Sequence, residues 1–182
     1  MYILRKFAWK YLGGVFLVVG LLAGVVELAC AASSAVTHSV TAVVPTVLSL
    51  TTSTGALAFT FPDYLSGTDS DVQTGSYTVK ANNMTTTGRV EGALSAAIAG
   101  MNFKGDPQAY SSTSGSVSFV ESYSGFSTIA ATAVKMYDQS GASGSAQTAR
   151  GTFTVNYKFT STTDLNAGSY GPVTLTVTLF NT

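Results

Sequence analysis

Residues 152–159 read Thr152-Phe153-Thr154-Val155-Asn156-Tyr157-Lys158-Phe159, with an oily side chain at every second position. Successive side chains of a strand point to opposite faces, so this period puts Phe153, Val155, Tyr157 and Phe159 on one face. Thr152, Thr154, Asn156 and Lys158 fall on the other. One face is greasy and one is wet, as in a strand that lies on a core. The same alternation closes the chain, with Val173, Leu175, Val177 and Leu179 inward and Thr174, Thr176 and Thr178 outward. Leu57, Phe59 and Phe61 form a third stripe, and Tyr77, Val79 and Ala81 a fourth. Further strands are expected at 35–44, 47–52, 89–96, 116–120 and 129–137.

Between these runs stand Gly, Asn, Asp and Pro, and the alternate positions are filled by Ser and Thr, whose abundance favours strand over helix. The pattern gives an all-β fold class, a single immunoglobulin-like β-sandwich of about seven to nine mostly antiparallel strands. One stretch, Gly92–Met101, reads GALSAAIAGM and is open to a short helix, because alanine is a strong helix former. Residues 111–116 and 139–147 are rich in Ser and Gly and read as surface loops. Asn82 and Asn83 read as a turn that closes the strand 75–81, since Asn tolerates a left-handed backbone. The strands share a texture but no fixed period, which argues against a solenoid.

At the amino terminus Arg5, Lys6 and Lys10 precede an uncharged apolar run from Tyr11 to Val26, and small residues follow at Leu28-Ala29-Cys30-Ala31-Ala32. Basic start, apolar centre and an Ala-x-Ala pair make a secretory signal peptide. The expected division is therefore a signal helix over 1–31 and a sandwich domain over 32–182. Two alternatives stand beside this reading. Leu28-Ala29-Cys30 resembles the end of a lipoprotein signal, although Glu27 occupies a position where that motif takes an aliphatic residue. An uncleaved anchor is the other, with an apolar run shorter than the roughly 20 residues a bilayer span needs.

The whole chain carries nine basic and nine acidic residues, for a net charge of zero. Beyond residue 31 the balance is −2, with only 14 charged side chains in about 151 residues. Such a surface offers neither nucleic acid nor an anionic membrane a basic patch. Cys30 is the only cysteine and departs with the signal, so stability is expected from the sheets and their core rather than from disulfides.

Candidate chemistry is sparse. His38 is the only histidine, and it falls on the Val36, His38, Val40 face of the first expected strand. Asp63, Asp69 and Asp71 form the one local carboxylate cluster. Oxygen-rich loops of this kind bind calcium, but the spacing does not fit an EF-hand, and aspartates also cap turns. Asn83-Met84-Thr85 has the form of a glycosylation sequon. Tyr64, Tyr110, Tyr123 and Phe126 lie in loop-like stretches and suit stacking on sugar rings, or packing at a sandwich edge with the hydroxyl in water. No catalytic, cofactor-binding or metal-ligating set emerges.

Ala167-Gly168-Ser169-Tyr170, followed by the strand Val173–Leu179, resembles the closing segment of secreted immunoglobulin-like surface domains of the fimbrial-subunit and spore-coat-U type. Leu175-Thr176-Val177-Thr178-Leu179 is also similar to the last strand of WxL cell-wall-binding domains, with Val177 where those carry tryptophan. Pro172 stands where many fimbrial and coat subunits have an acidic residue. The resemblance implies an exported, non-catalytic structural or adhesive subunit at the cell surface or in the periplasm. Its expected partners are other proteins or copies of itself. The extended leader Ser34–Val44 alternates in the same way and is suited to pairing within its own domain as the first strand, or to adding a strand to a neighbour's sheet edge. The alternative is a glycan- or cell-wall-binding sandwich module.

Overall fold

The computed structural model describes residues 39, 41–85, 87–141 and 147–181. The expected signal segment 1–31, Cys30 and His38 lie outside the described residues. Among the described residues ten strands follow in order: β1 Leu48–Thr52, β2 Gln73–Met84, β3 Arg89–Leu94, β4 Met101–Pro107, β5 Ser111–Gly115, β6 Val117–Glu121, β7 Ser127–Thr128, β8 Val134–Gly141, β9 Gln147–Ser161 and β10 Leu175–Phe180. Every pairing between them is antiparallel. One sheet has the order β1-β2-β9-β4-β7, with β5 also on β9; the other has the order β10-β3-β8-β6. No helix among the described residues is long and apolar enough to cross a membrane.

The alternating stretch 152–159 lies within β9, the fifteen-residue backbone of the first sheet. One edge of β9 pairs with β2, and the other pairs first with β4 and then with β5. Its inward positions, from Ala149 through Phe153, Val155, Tyr157 and Phe159 to Ser161, are all buried. They meet the second sheet directly. Tyr137 of β8 packs on Phe153 at 4.5 Å between ring centroids, and its hydroxyl is directed at the carbonyls of Gln108 (2.7 Å) and Thr154 (3.0 Å). Tyr77 of β2 stacks on Phe153 at 5.0 Å, and its hydroxyl lies 2.9 Å from that of Tyr157. The hydroxyls of Tyr77, Tyr137 and Tyr157 thus pair within the core, as desolvation demands.

Two glycines are required by this packing. A Cβ on Gly75 would lie 2.9 Å from the rings or hydroxyls of Tyr157 and Tyr77. A Cβ on Gly151 would lie 2.4 Å from the Ser111 carbonyl, where β5 crosses close to β9. Both approaches are far inside van der Waals contact.

Several expectations are corrected. The described residues form ten strands rather than seven to nine. In Gly92–Met101 the expected strand is found rather than the alternative helix, with β3 running to Leu94, two residues short of the expected end, and bends and a turn following up to Gly100. Residues 111–115, expected as a loop, form β5, whose side chains are all exposed and whose place is set by backbone pairing with β9. Residues 139–141 and Gln147, expected in a loop, belong to β8 and β9, and 142–146 lie outside the described residues. Asn82 and Asn83 do not end their strand. β2 continues to Met84 through a register shift between Ala81 and Met84, an irregularity that lets the strand bend without ending. Leu57, Phe59 and Phe61 do face inward, but residues 53–61 belong to no strand.

Candidate functional site

The two flanks of the paired sheets differ. On the flank formed by β4, β7 and β8 the chain itself crosses from sheet to sheet. The Ile129 amide donates to the Phe103 carbonyl (2.9 Å), and the Ala130 carbonyl accepts from the Leu94 amide (2.9 Å). Between these two bonds the Ile129 side chain plugs the gap, 1% exposed.

On the other flank the edge strands β1 and β10 lie beside each other. Each pairs on one side only among the described strands. Beside them runs a groove of about 1450 Å³. Its floor includes Tyr77, Phe103 and Phe159 from the first sheet and Leu94, Leu175 and Val177 from the second. The stripe Leu57, Phe59 and Phe61 enters the groove from above. Phe59 meets Phe159 at 5.1 Å and Phe103 at 5.9 Å, edge to face in both cases, the arrangement ring quadrupoles favour. Its backbone is another matter. Thr54 donates its amide to the Thr52 hydroxyl, and Thr60 exchanges bonds with Asp71 (2.6 Å to Oδ1, 2.9 Å from the Asp71 amide). Among the described residues no backbone hydrogen bond reaches 55–59. The segment is a strap held by side chains alone.

The rim at the strap's far end carries two exposed aromatic rings, Tyr64 (63% exposed) and Tyr170 (42%). Their segments are tied together: the Tyr64 carbonyl accepts from the Leu165 amide (2.7 Å), and the Asp164 carboxylate accepts from the Ser66 amide (2.9 Å). Tyr170 is pinned by its own loop, its hydroxyl accepting from the Asn166 amide (2.9 Å) and donating to the Asn166 carbonyl (2.8 Å).

The aromatic residues singled out in the sequence are thereby separated. Tyr64 lies on the groove rim. Tyr110 packs edge to face on Phe119 at 5.3 Å, against the core. Tyr123 is likewise half-buried, and burial, with the Asp106 charge adding to it, pushes its phenol up to about 12. Phe126 lies under the Lys158 ammonium at 4.3 Å, a cation–π contact. Tyr170 stands out in the sequence for its turn rather than its ring, because the exposure of that ring depends on how the loop folds back.

The three loop carboxylates go to different partners. Asp69 accepts from Lys158 (2.5 Å) and Thr160 (2.6 Å), and these two bonds hold its carboxyl below the usual range against a small opposing effect of burial. Asp71 accepts from the Thr60 amide and from the Gln73 side chain, both at 2.6 Å. Asp63 accepts from the Tyr64 amide at 2.7 Å. Asn82, expected in a turn, instead clamps the entry to β1. Its side chain donates to the Pro45 carbonyl and accepts from the Val47 amide, each at 2.6 Å. Asn83 offers its carbonyl to the Asn181 side chain (2.7 Å).

No known protein family, no curated protein and no solved structure matches this chain.

Proposed function

We propose that the protein is a non-catalytic, exported structural or adhesive subunit of the cell surface, built like fimbrial or coat subunits on an immunoglobulin-like sandwich and assembling by strand addition. The observation that carries this reading is the open flank. Two adjacent edge strands with no charged residue in either, β1 (LSLTT) and β10 (LTVTLF), border a groove lined by aromatic and aliphatic side chains together with threonines and other polar groups. Soluble proteins usually guard such edges with charge, proline or a covering segment, because unpaired amides and carbonyls template another strand. The leader Ser34–Val44, alternating and neutral, has the composition to serve as that strand in a neighbour.

The test compares the full exported protein with a form lacking residues 34–44, by light scattering and by electron microscopy of the producing cell's surface. The reading expects assemblies that disappear with the deletion. Monomers in both cases would overturn it. A second reading, glycan or cell-wall binding, is favoured by one specific observation, the exposed Tyr64 and Tyr170 rings on tethered segments at the groove rim. Retention on isolated walls that Tyr64→Ala and Tyr170→Ala abolish together would favour it over strand addition.

A further inference from the structure

β10 reads Leu175-Thr176-Val177-Thr178-Leu179 before Phe180, and its first five residues are the same in both directions about Val177. Its pairing with β3 fixes which backbone groups remain available. The Ser95 amide donates to the Thr174 carbonyl (2.8 Å), so the even positions of this strand address β3. By the alternation of an antiparallel ladder, the amides and carbonyls of Leu175, Val177 and Leu179 address the open side. That side pairs with no described strand.

We infer that the open edge of β10 is a homodimer interface, in which β10 pairs antiparallel with β10 of a second copy about a two-fold axis through Val177. In this register Leu175 faces Leu179 of the second copy, Val177 faces its own equivalent, and Thr176 faces Thr178. Each exchange therefore joins like to like. The three apolar positions form the hydrogen-bonded pairs and extend the inner face of the sheet, while the threonines form the closer, non-hydrogen-bonded pairs on the outer face. A two-fold interface must be self-complementary, and a palindromic strand meets that condition without a second surface. The result is an eight-stranded sheet with the order β6-β8-β3-β10 repeated through the axis. Of the other edges, β7 has two residues, β6 ends in Glu121, and β1, although uncharged, reads LSLTT and is not the same in both directions.

Nothing in this interface depends on the leader, and strand addition by residues 34–44 is compatible with it where the added strand takes the β1 edge and leaves β10 free. Thr176 is exposed and Thr178 half-buried on the outer face, where changes leave the core intact. The test measures mass by sedimentation across a concentration series for the full protein and two double variants. In T176K/T178K every threonine pair becomes lysine opposite lysine, and dimerisation should weaken by about tenfold or more. In T176K/T178E the register places each introduced lysine opposite the glutamate introduced in the second copy, and dimerisation should return. A protein that is monomeric at every concentration overturns the inference, as does a dimer indifferent to T176K/T178K. A T176K/T178E variant as weak as T176K/T178K overturns the register. A dimer lost on deleting residues 34–44 but unmoved by either double variant overturns the β10 interface and leaves the strand-addition reading standing.

Discussion

The flank plugged by Ile129 and the flank strapped by Leu57, Phe59 and Phe61 close the same kind of gap by different means. At Ile129 the chain crosses between sheets with backbone bonds on both sides of a fully buried aliphatic group. At the strap three large side chains reach the core, while the amides of 55–59 find no partner among the described residues. Burial of apolar surface fixes where a segment lies, but only a ladder makes it cooperative with the sheet. One flank is thus part of the fold, and the other is a cover laid on it.

The largest expected effect tests this contrast directly. Ile129→Ala should cost about 2–5 kcal/mol in denaturant unfolding, as a fully buried isoleucine does. Phe59→Ala removes a larger side chain, yet from a half-buried strap it should cost less than Ile129→Ala. The reverse order would show that the strap is as integral as the plug. Gly151→Ala sharpens the picture on the intact side. Its Cβ meets the Ser111 carbonyl, so a loss of about 1–3 kcal/mol is expected, together with faster amide exchange across β5.

Next in size is the tyrosine core. Tyr157→Phe leaves the Tyr77 hydroxyl without its 2.9 Å partner, at a cost of about 1 kcal/mol. The same residues set the alkaline limit. Burial raises the phenols of Tyr137 and Tyr157, and that of Tyr123 to about 12, above an ordinary value of 10.0. The unfolded chain releases these protons first. Stability should hold in full below pH 10 and fall as pH rises above it, through the folded values. A pH series of melting temperatures checks this, and Tyr157→Phe should flatten the decline.

Smallest is Lys158→Ala. Its bond with Asp69 joins a half-buried lysine to an exposed carboxylate at the surface and should contribute less than about 1 kcal/mol. Because the Asp69 carboxyl is held low, that contribution is present above its ordinary value of 3.8 and is lost as pH falls through the folded one.

These differences also mark what the chain discloses. β9 is legible because period and length agree over residues 152–159, and β10 is legible for the same reason. The strap misleads because alternation reports which face is buried, and pairing depends on a neighbour that alternation does not specify. β5 is illegible: Ser111-Ser112-Thr113-Ser114-Gly115 has no apolar side chain, and only the bare Gly151 backbone beside it gives it a place. At the candidate site, the loop position of Tyr64 is enough to single it out. Tyr110 and Tyr123 look the same in sequence, but distant partners such as Phe119 draw Tyr110 inward. The groove joins residues from both ends of the domain, so no local pattern outlines it.

Native-state amide hydrogen exchange read residue by residue tests the contrast most directly. Residues 55–59 should exchange at rates near those of an unfolded chain, while Val155 and Tyr157 of β9 should exchange only on global unfolding. Protection of 55–59 comparable to that of β9 would contradict it.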